Sequence, residues 1–260
     1  MTLIDDTFTK LRANEGKALI TYVCGGDPDL KTSLEIAKVV EKYSDIIELG
    51  IPFSDPIADG PTIQKATERA LSSGTKPRDV FKIASKLKKP VAVMTYYNII
   101  YKYGIKKFCK DSKRNNVQGI IIPDLPPEEA EGIINYANGL NLIFLISPYS
   151  TDKRIKIVSK FSSGFIYLVS LLGTTGEREH LSKNAKKLIE RVKKVTNKPL
   201  ALGFGVSKPE QVKTALSYGV DGVIIGSALI KHIEKNLSNK KAMFKNVEIF
   251  CRDLRVALKD

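Results

Sequence analysis

The sequence predicts an α/β fold: a (β/α)8 TIM barrel with one extra N-terminal helix, residues 1–260 forming a single domain. Three observations predict it. Eight short apolar runs alternate with helical segments along the whole chain. None of these runs alternates polar with apolar residues, so each is buried on both faces, as in a parallel sheet. A chain of 260 residues in strand–helix alternation has the length of one barrel. The competing arrangement is an open doubly wound sheet. No Gly-x-Gly-x-x-Gly follows the first strand, which weakens a dinucleotide-binding version of it.

Taken in order, Leu3 to Ala13 carries apolar residues at 4, 8 and 11, the spacing of a short helix. Ala18 to Cys24 is a buried strand ended by Gly25-Gly26-Asp27-Pro28, and Leu30 to Tyr43 is an amphipathic helix. Asp45 to Leu49 is the second strand. The proline- and glycine-rich segment after it ends in a helix from Pro61 to about residue 73, since proline suits a first helical turn. Arg78 to Leu87 is helical, Val91 to Tyr96 a strand, and Ile105 to Arg114 helical. Gly119 to Ile122 is a strand running into Pro123-Asp124-Leu125-Pro126-Pro127. A helix over Glu128 to Ala137 follows, with acids in its first turn as the macrodipole prefers. Leu142 to Ile146, Phe165 to Ser170, Pro199 to Leu202 and Gly222 to Ile225 are the remaining strands. Their helices span Asp152 to Phe161, Ser182 to Val195, Pro209 to Ser217, and residues 228–236 and 241–257.

Composition narrows the function classes. With 43% hydrophobic and 27% charged residues the chain is not a disordered segment. No run of eighteen apolar residues exists, so no membrane span is expected, and Met1 to Asn14 lacks the apolar core of a signal peptide. Cys24, Cys109 and Cys251 lie far apart, without metal-ligand spacing. They read as free thiols of a reduced, cytoplasmic compartment, and no metal site is expected. The net charge of +14 is spread over many amphipathic segments and is not interleaved with aromatic residues. It reads as a solvated basic surface rather than a nucleic-acid interface, and such a field still draws in a phosphorylated small molecule.

One segment carries most of the chemistry. Residues 48–61 read Glu-Leu-Gly-Ile-Pro-Phe-Ser-Asp-Pro-Ile-Ala-Asp-Gly-Pro. The prolines exclude helix and ladder, so the loop is stiff and shaped. Glu48 stands at a strand end, and Asp55 and Asp59 stand on the loop, a set suited to proton transfer. Barrels place their reactive groups at the C-terminal ends of strands. Those ends hold Glu48, Asp124, Tyr167, Ser170 and two late glycine turns, Gly203-Phe204-Gly205 and Gly226-Ser227. Glycines let backbone N–H groups approach an anion, and strands seven and eight often hold a phosphate. Residues 171–181 contain Gly173-Thr174-Thr175-Gly176, a candidate lid. Tyr22 and Tyr96 either line a slot for an aromatic substrate or fill the barrel mouth. Tyr167 by itself reads as a core tyrosine, and Asp124 as a turn residue.

The segment from Glu48 to Gln64 resembles the signature of the tryptophan synthase alpha subunit family. The likeness extends over the chain through Gly26-Asp27-Pro28, Tyr96 and Asn98, Pro123-Asp124-Leu125-Pro126, Tyr167-Leu168-Val169-Ser170, Gly173 to Gly176, Gly203-Phe204-Gly205 and Gly226-Ser227. The resemblance implies retro-aldol cleavage of indole-3-glycerol phosphate to indole and glyceraldehyde 3-phosphate. It implies no cofactor, and a beta-subunit partner in an alpha2beta2 heterotetramer that takes up the indole. It makes Glu48 the acid/base catalyst, Asp59 the carboxylate facing the indole nitrogen, and Tyr167 a residue that helps close the site. Gly176, Gly203, Gly205, Gly226 and Ser227 fall at phosphate positions, Thr175 within the substrate-side lid, and Tyr22 in the indole pocket beside Tyr96. Pro52, Asp55 and Asn98 fall at the partner interface. Two positions depart from the family's usual pattern: Tyr22 is often phenylalanine, and Gly-Thr-Thr-Gly is often Gly-Val-Thr-Gly. The alternatives are a related phosphate-binding indole or phosphoribosyl barrel, and a non-catalytic subunit that activates a partner.

Overall fold

A strand buried on both faces needs one side chain set for a barrel interior and another for a surrounding helical layer. The computed structural model supplies both. It describes residues 1–169, 178–203 and 208–258, and of residues 178–183 only the helical backbone. Helix α1 (Leu3–Ala13) precedes β1 (Ala18–Cys24), α2 (Leu30–Glu41), β2 (Ile46–Gly50), α3 (Pro61–Ser72) and α4 (Pro77–Ala84). Then come β3 (Val91–Met94), α5 (Tyr97–Tyr103), α6 (Ile105–Arg114), β4 (Val117–Ile121), a 3-10 turn (Pro127–Glu129) and α7 (Glu131–Ile134). The chain continues through β5 (Asn141–Ile143), β6 (Leu145–Ile146), α8 (Asp152–Phe161), β7 (Ile166–Val169), α9 (Arg178–Lys193) and β8 (Leu200–Gly203). It ends with α10 (Pro209–Ser217), β9 (Gly222–Ile225), α11 (Ser227–Glu234) and α12 (Lys240–Ala257).

Neighbouring strands are parallel, in the order β5-β4-β3-β2-β1-β9-β8-β7-β6. The two ends of that order, β5 and β6, are consecutive pieces of chain separated by Phe144 alone. The sheet therefore closes on itself, and the predicted (β/α)8 barrel is present with its fifth strand in two pieces. The break comes where β5 leaves β4 and β6 takes up β7, with the Tyr167 amide donating to the Phe144 carbonyl at 3.1 Å.

Residues at alternate strand positions, Ala18, Ile20, Ile46, Ala92, Ile121, Ile143, Ala201 and Ile224, form the barrel interior. Helix α1 plugs its lower end with Ile4 and Phe8, and Phe8 meets Phe165 at 5.7 Å between ring centres. Burying each of these two plug side chains contributes about 1.5–3 kcal/mol. A capping box between Thr2 and Asp5 starts the helix, and both residues also hydrogen-bond the Asn141 side chain at the foot of β5. The extra N-terminal helix is thus part of the barrel floor.

Two segments differ from the expectation. The helix expected over Glu128 to Ala137 is reduced to the 3-10 turn and four-residue α7, separated by Ala130, whose backbone leaves helical geometry. Three prolines at its head and Gly132 inside it shorten it. Conversely, α5 occupies a stretch with no predicted element. Its Tyr-Asn-Ile-Ile-Tyr sequence has strand-like propensity. The helix is started from outside, by Asp124 accepting the Tyr97 amide at 2.9 Å.

Beside the mouth, Arg69 of α3 grips the fully buried Asp27 with two bonds of 2.6 and 2.9 Å. Glu234 of α11 lies 3.9 Å from the same guanidinium. Helices α3 and α11, whose N-termini both open at the barrel mouth, are tied together at the far end.

Candidate active site

Glu48 belongs to the inward-facing set of β2, between Tyr22 of β1 and Ala92 of β3 in register. It is 1% exposed, and its Oε2 has no hydrogen-bond partner. Leaving a buried carboxylate oxygen unsatisfied is costly, so such an atom marks a place where a ligand supplies the missing group. Burial pushes the Glu48 carboxyl up to about 8, and the charge of Asp59 adds to the rise. It therefore holds its proton at neutral pH and can also give it up.

Asp59 reaches the same cavity from the loop. Gly60 precedes α3, with Pro61 at its first position, and this stops the loop just past the carboxylate. Gln64 donates to the Asp59 carbonyl at 2.8 Å. Tyr96, following β3, donates to Asp59 Oδ2 at 3.0 Å and accepts the Ala58 amide at 3.0 Å. Burial raises the Asp59 carboxyl above its ordinary value, and the Tyr96 hydroxyl acts in the opposite direction.

The side walls are two tyrosines seated over glycines. The Tyr22 hydroxyl lies where a Cβ on Gly50 would stand, 2.2 Å from that position. The Tyr167 ring covers Gly203 in the same way, with Cε1 at 2.3 Å from a would-be Cβ. Only glycine permits either approach. Both phenols are raised well above the ordinary tyrosine value, first by burial and then by nearby negative charge that includes Glu48 and Asp59. They remain neutral donors beside the acids.

The cleft these residues enclose has a volume of about 180 Å³. Tyr22, Glu48, Asp59, Tyr167, Gly203, Gly226 and Ser227 line it, so seven of the candidates drawn from separate segments converge. At its far end Gly226 leads into α11, whose first turn has no side-chain cap. The open N–H groups and positive dipole end of that helix suit an anion. The acids and the open helix N-terminus thus share one cleft. Tyr96 is not in the lining; its hydroxyl is spent on the loop. Thr175, Gly176, Gly205 and Ser170 lie outside the described residues. Pro52 is buried within the chain, whereas Asp55 and Asn98 are exposed.

Ile63, Met94 and Ile224 complete the apolar lining, and sequence reasoning did not single them out. Met94 and Ile224 were within reach of it, since both stand at inward positions of strands. Nothing local distinguishes Ile63 from the other buried residues of α3. Gln64 and Asp124 act behind the site through single hydrogen bonds, one to a carbonyl five residues back and one to an amide 27 residues away, which residue type alone does not reveal.

Comparison with known proteins bears on this arrangement directly. The tryptophan synthase alpha chain family signature matches residues 8–259. The tryptophan synthase alpha chain of Thermoanaerobacter sp. (strain X514) is 44% identical over 265 residues, covering 99% of this chain and 100% of that one. That of Methanocaldococcus jannaschii is 45% identical over 252 residues, covering 94% and 89%. Among solved structures, tryptophan synthase subunit alpha from Legionella pneumophila str. Paris superposes with a TM-score of 0.91 at 34% identity, covering 100% of this chain and 99% of that one.

Proposed function

The chain belongs to the tryptophan synthase alpha chain family, and from that membership we propose that Glu48 and Asp59 carry out the family's reaction in the cleft at the barrel mouth. The reaction is a lyase step of tryptophan biosynthesis, the retro-aldol cleavage of indole-3-glycerol phosphate to indole and glyceraldehyde 3-phosphate. The observation that carries the assignment is the buried, unpartnered Oε2 of Glu48 facing a cleft shared with a second carboxylate.

The chemistry fits these groups. The indole ring becomes a leaving group when its C3 is protonated. Protonated Glu48 delivers that proton, and the ring nitrogen takes up positive charge. Asp59, ionised, accepts from the indole N–H and stabilises that charge. The C–C bond then breaks, its electron pair returning to the ring. The hydroxyl on the departing carbon loses its proton to the Glu48 carboxylate and becomes the aldehyde oxygen. Glu48 ends as it began, and a carboxyl poised near 8 serves as both acid and base. The α11 N-terminus and Gly203 hold the phosphate, which orients the bond being broken. Tyr22 and Tyr167 bracket the ring.

The family works with a beta subunit, and we assign this chain to an alpha2beta2 heterotetramer. Support comes from the exposed rim beside the cleft: Asp55, Asn98, Ile57 at 80% exposure and Tyr101 at 64%. A cytoplasmic location accords with three buried free thiols, Cys24, Cys109 and Cys251. Residues 1–260 acting as one domain accords with a single sheet that takes in every described strand.

The reading is tested by assaying indole release from indole-3-glycerol phosphate with and without the beta subunit. Release by the isolated chain and faster release by the complex are expected; no release in either condition overturns it. Gly203→Ala provides a second check. Its methyl displaces the Tyr167 ring toward the cleft, at a cost of about 1–3 kcal/mol in stability, and KM is expected to rise about tenfold. An unchanged KM would show that the ring does not bound the substrate.

A further inference from the structure

Asp59 is placed by another segment. The loop that carries it stands on Gly60 at one end and on β2 at the other. Between them Tyr96 bonds both Ala58 and the Asp59 carboxylate, while Thr95 and Gln64 each bond one backbone carbonyl, of Ile51 and of Asp59. An amide N–H can only donate, so the Tyr96 oxygen must accept from Ala58. The hydroxyl hydrogen is then free to point at Asp59 Oδ2. This leaves Oδ1 without a partner among the described residues, on a side chain that lines the cleft.

Tyr96 itself is held firmly. It is 3% exposed, and its ring lies 5.3 Å from that of Phe53 on the same loop. The backbone on either side is sewn into the barrel. The Thr95 amide donates to Ile121, the Ile51 amide to Met94, and the Tyr97 amide to Asp124. Tyr96 also stands as the residue before α5, whose surface carries the exposed Asn98 and Tyr101.

We propose that Tyr96 is a positioning residue for the reaction: its hydroxyl selects the Asp59 oxygen presented to the ring nitrogen and holds the loop at the distance catalysis needs. It is not a residue of the substrate slot. This rests on the assignment of Asp59 made above. Because Tyr96 heads α5, a contact made on that helix reaches Asp59 through one side chain.

The groups that face Asp59 are Glu48 from β2, Tyr22 and Cys24 from β1, Tyr167 from β7 and Tyr96, with Asp124 behind Tyr96; no cation among the described residues pairs with it. Tyr96 is the one of these that stabilises the ionised form of Asp59. Losing its hydroxyl therefore raises the Asp59 carboxyl further, and activity that needs Asp59 ionised begins at a higher pH.

The test is Tyr96→Phe in the full chain with its beta subunit, alone and combined with Asp59→Asn. Phenylalanine keeps the ring contact with Phe53. Expected are a fall in kcat of about tenfold with KM within about twofold, and an acid limb of the pH–rate profile moved to higher pH. In the Asp59→Asn background the second substitution should cost nothing further. An unmoved acid limb, or losses that multiply in the double variant, overturns the proposal. Absence of indole release from the unsubstituted enzyme would instead overturn the functional reading beneath it.

Discussion

Glu48→Gln should lower indole-3-glycerol phosphate cleavage by about a thousandfold, the scale of losing a general acid and base together. The amide has the shape of the carboxyl and fits the same position on β2, but it can neither protonate C3 nor take the hydroxyl proton. Binding of substrate and of inorganic phosphate should persist, because the proposed phosphate contacts come from β8 and α11 and not from β2. Turnover near the normal rate would remove Glu48 from the mechanism. The same variant should be more stable than the parent at alkaline pH. Glu48 titrates near 8 in the folded chain, against an ordinary glutamate value of 4.5 when unfolded. Between those values the unfolded chain has released a proton that the folded chain retains, so stability falls as pH rises through this window and levels off above about 8. Glutamine removes that slope. Thermal unfolding at pH 8 should favour the variant by an amount on the order of a few kcal/mol, and the gap should close toward pH 5. A gap that does not change with pH would mean that Glu48 is not held neutral by its surroundings.

Asp59→Asn should lower kcat by about a hundredfold, the cost of losing one well-placed charge partner for the transition state. The loss should appear in kcat more than in KM, since positive charge develops on the ring only as C3 is protonated. Inhibition by inorganic phosphate should be unchanged. The alkaline limb, set by Glu48, should move to lower pH, because the Asp59 charge is one of the two causes that hold the Glu48 carboxyl high. Phosphate inhibition weakened in proportion to kcat would place Asp59 at the wrong end of the cleft.

The two substitutions separate what the strand supplies from what the loop supplies. The Glu48 backbone is part of a ladder and cannot shift without breaking it. Asp59 stands beyond the last such bond, that of the Ile51 amide to Met94, and is held by Tyr96 and by Gln64 of α3. Activity is therefore sensitive to anything that displaces the loop while leaving the barrel intact. Asp55, Ile57 and Asn98 are exposed beside it, which is why the proposed subunit contact is set there.

How much of this was legible beforehand depended on the range of the interaction. Both-face burial, turn residues and helix starts are local, and they placed the eight strands within a few residues; Glu48, expected at a strand end, is the central residue of β2. The breaks in that reading share a cause. Helix α5 needs a carboxylate from the loop after β4, and the fifth strand divides because its two halves serve different neighbours. Tyr96 and Tyr22 were an undecided pair, slot or barrel filling. The fold sends the Tyr96 hydroxyl to the loop and lays Tyr22 over Gly50 in the cleft.

The sequence by itself determined the barrel and set three carboxylates on the second strand and the loop after it, because each depends on residue type and short-range spacing; the choice of Glu48 and Asp59 among them came from the family resemblance. The tertiary structure alone decided which groups meet. It buried Glu48 without a partner for Oε2, raised its carboxyl by excluding water and bringing Asp59 close, and gave Asp59 its orientation through a tyrosine 37 residues away. Proton affinity and hydrogen-bond direction are set by everything within a few ångströms in space, and only the folded chain brings those groups there.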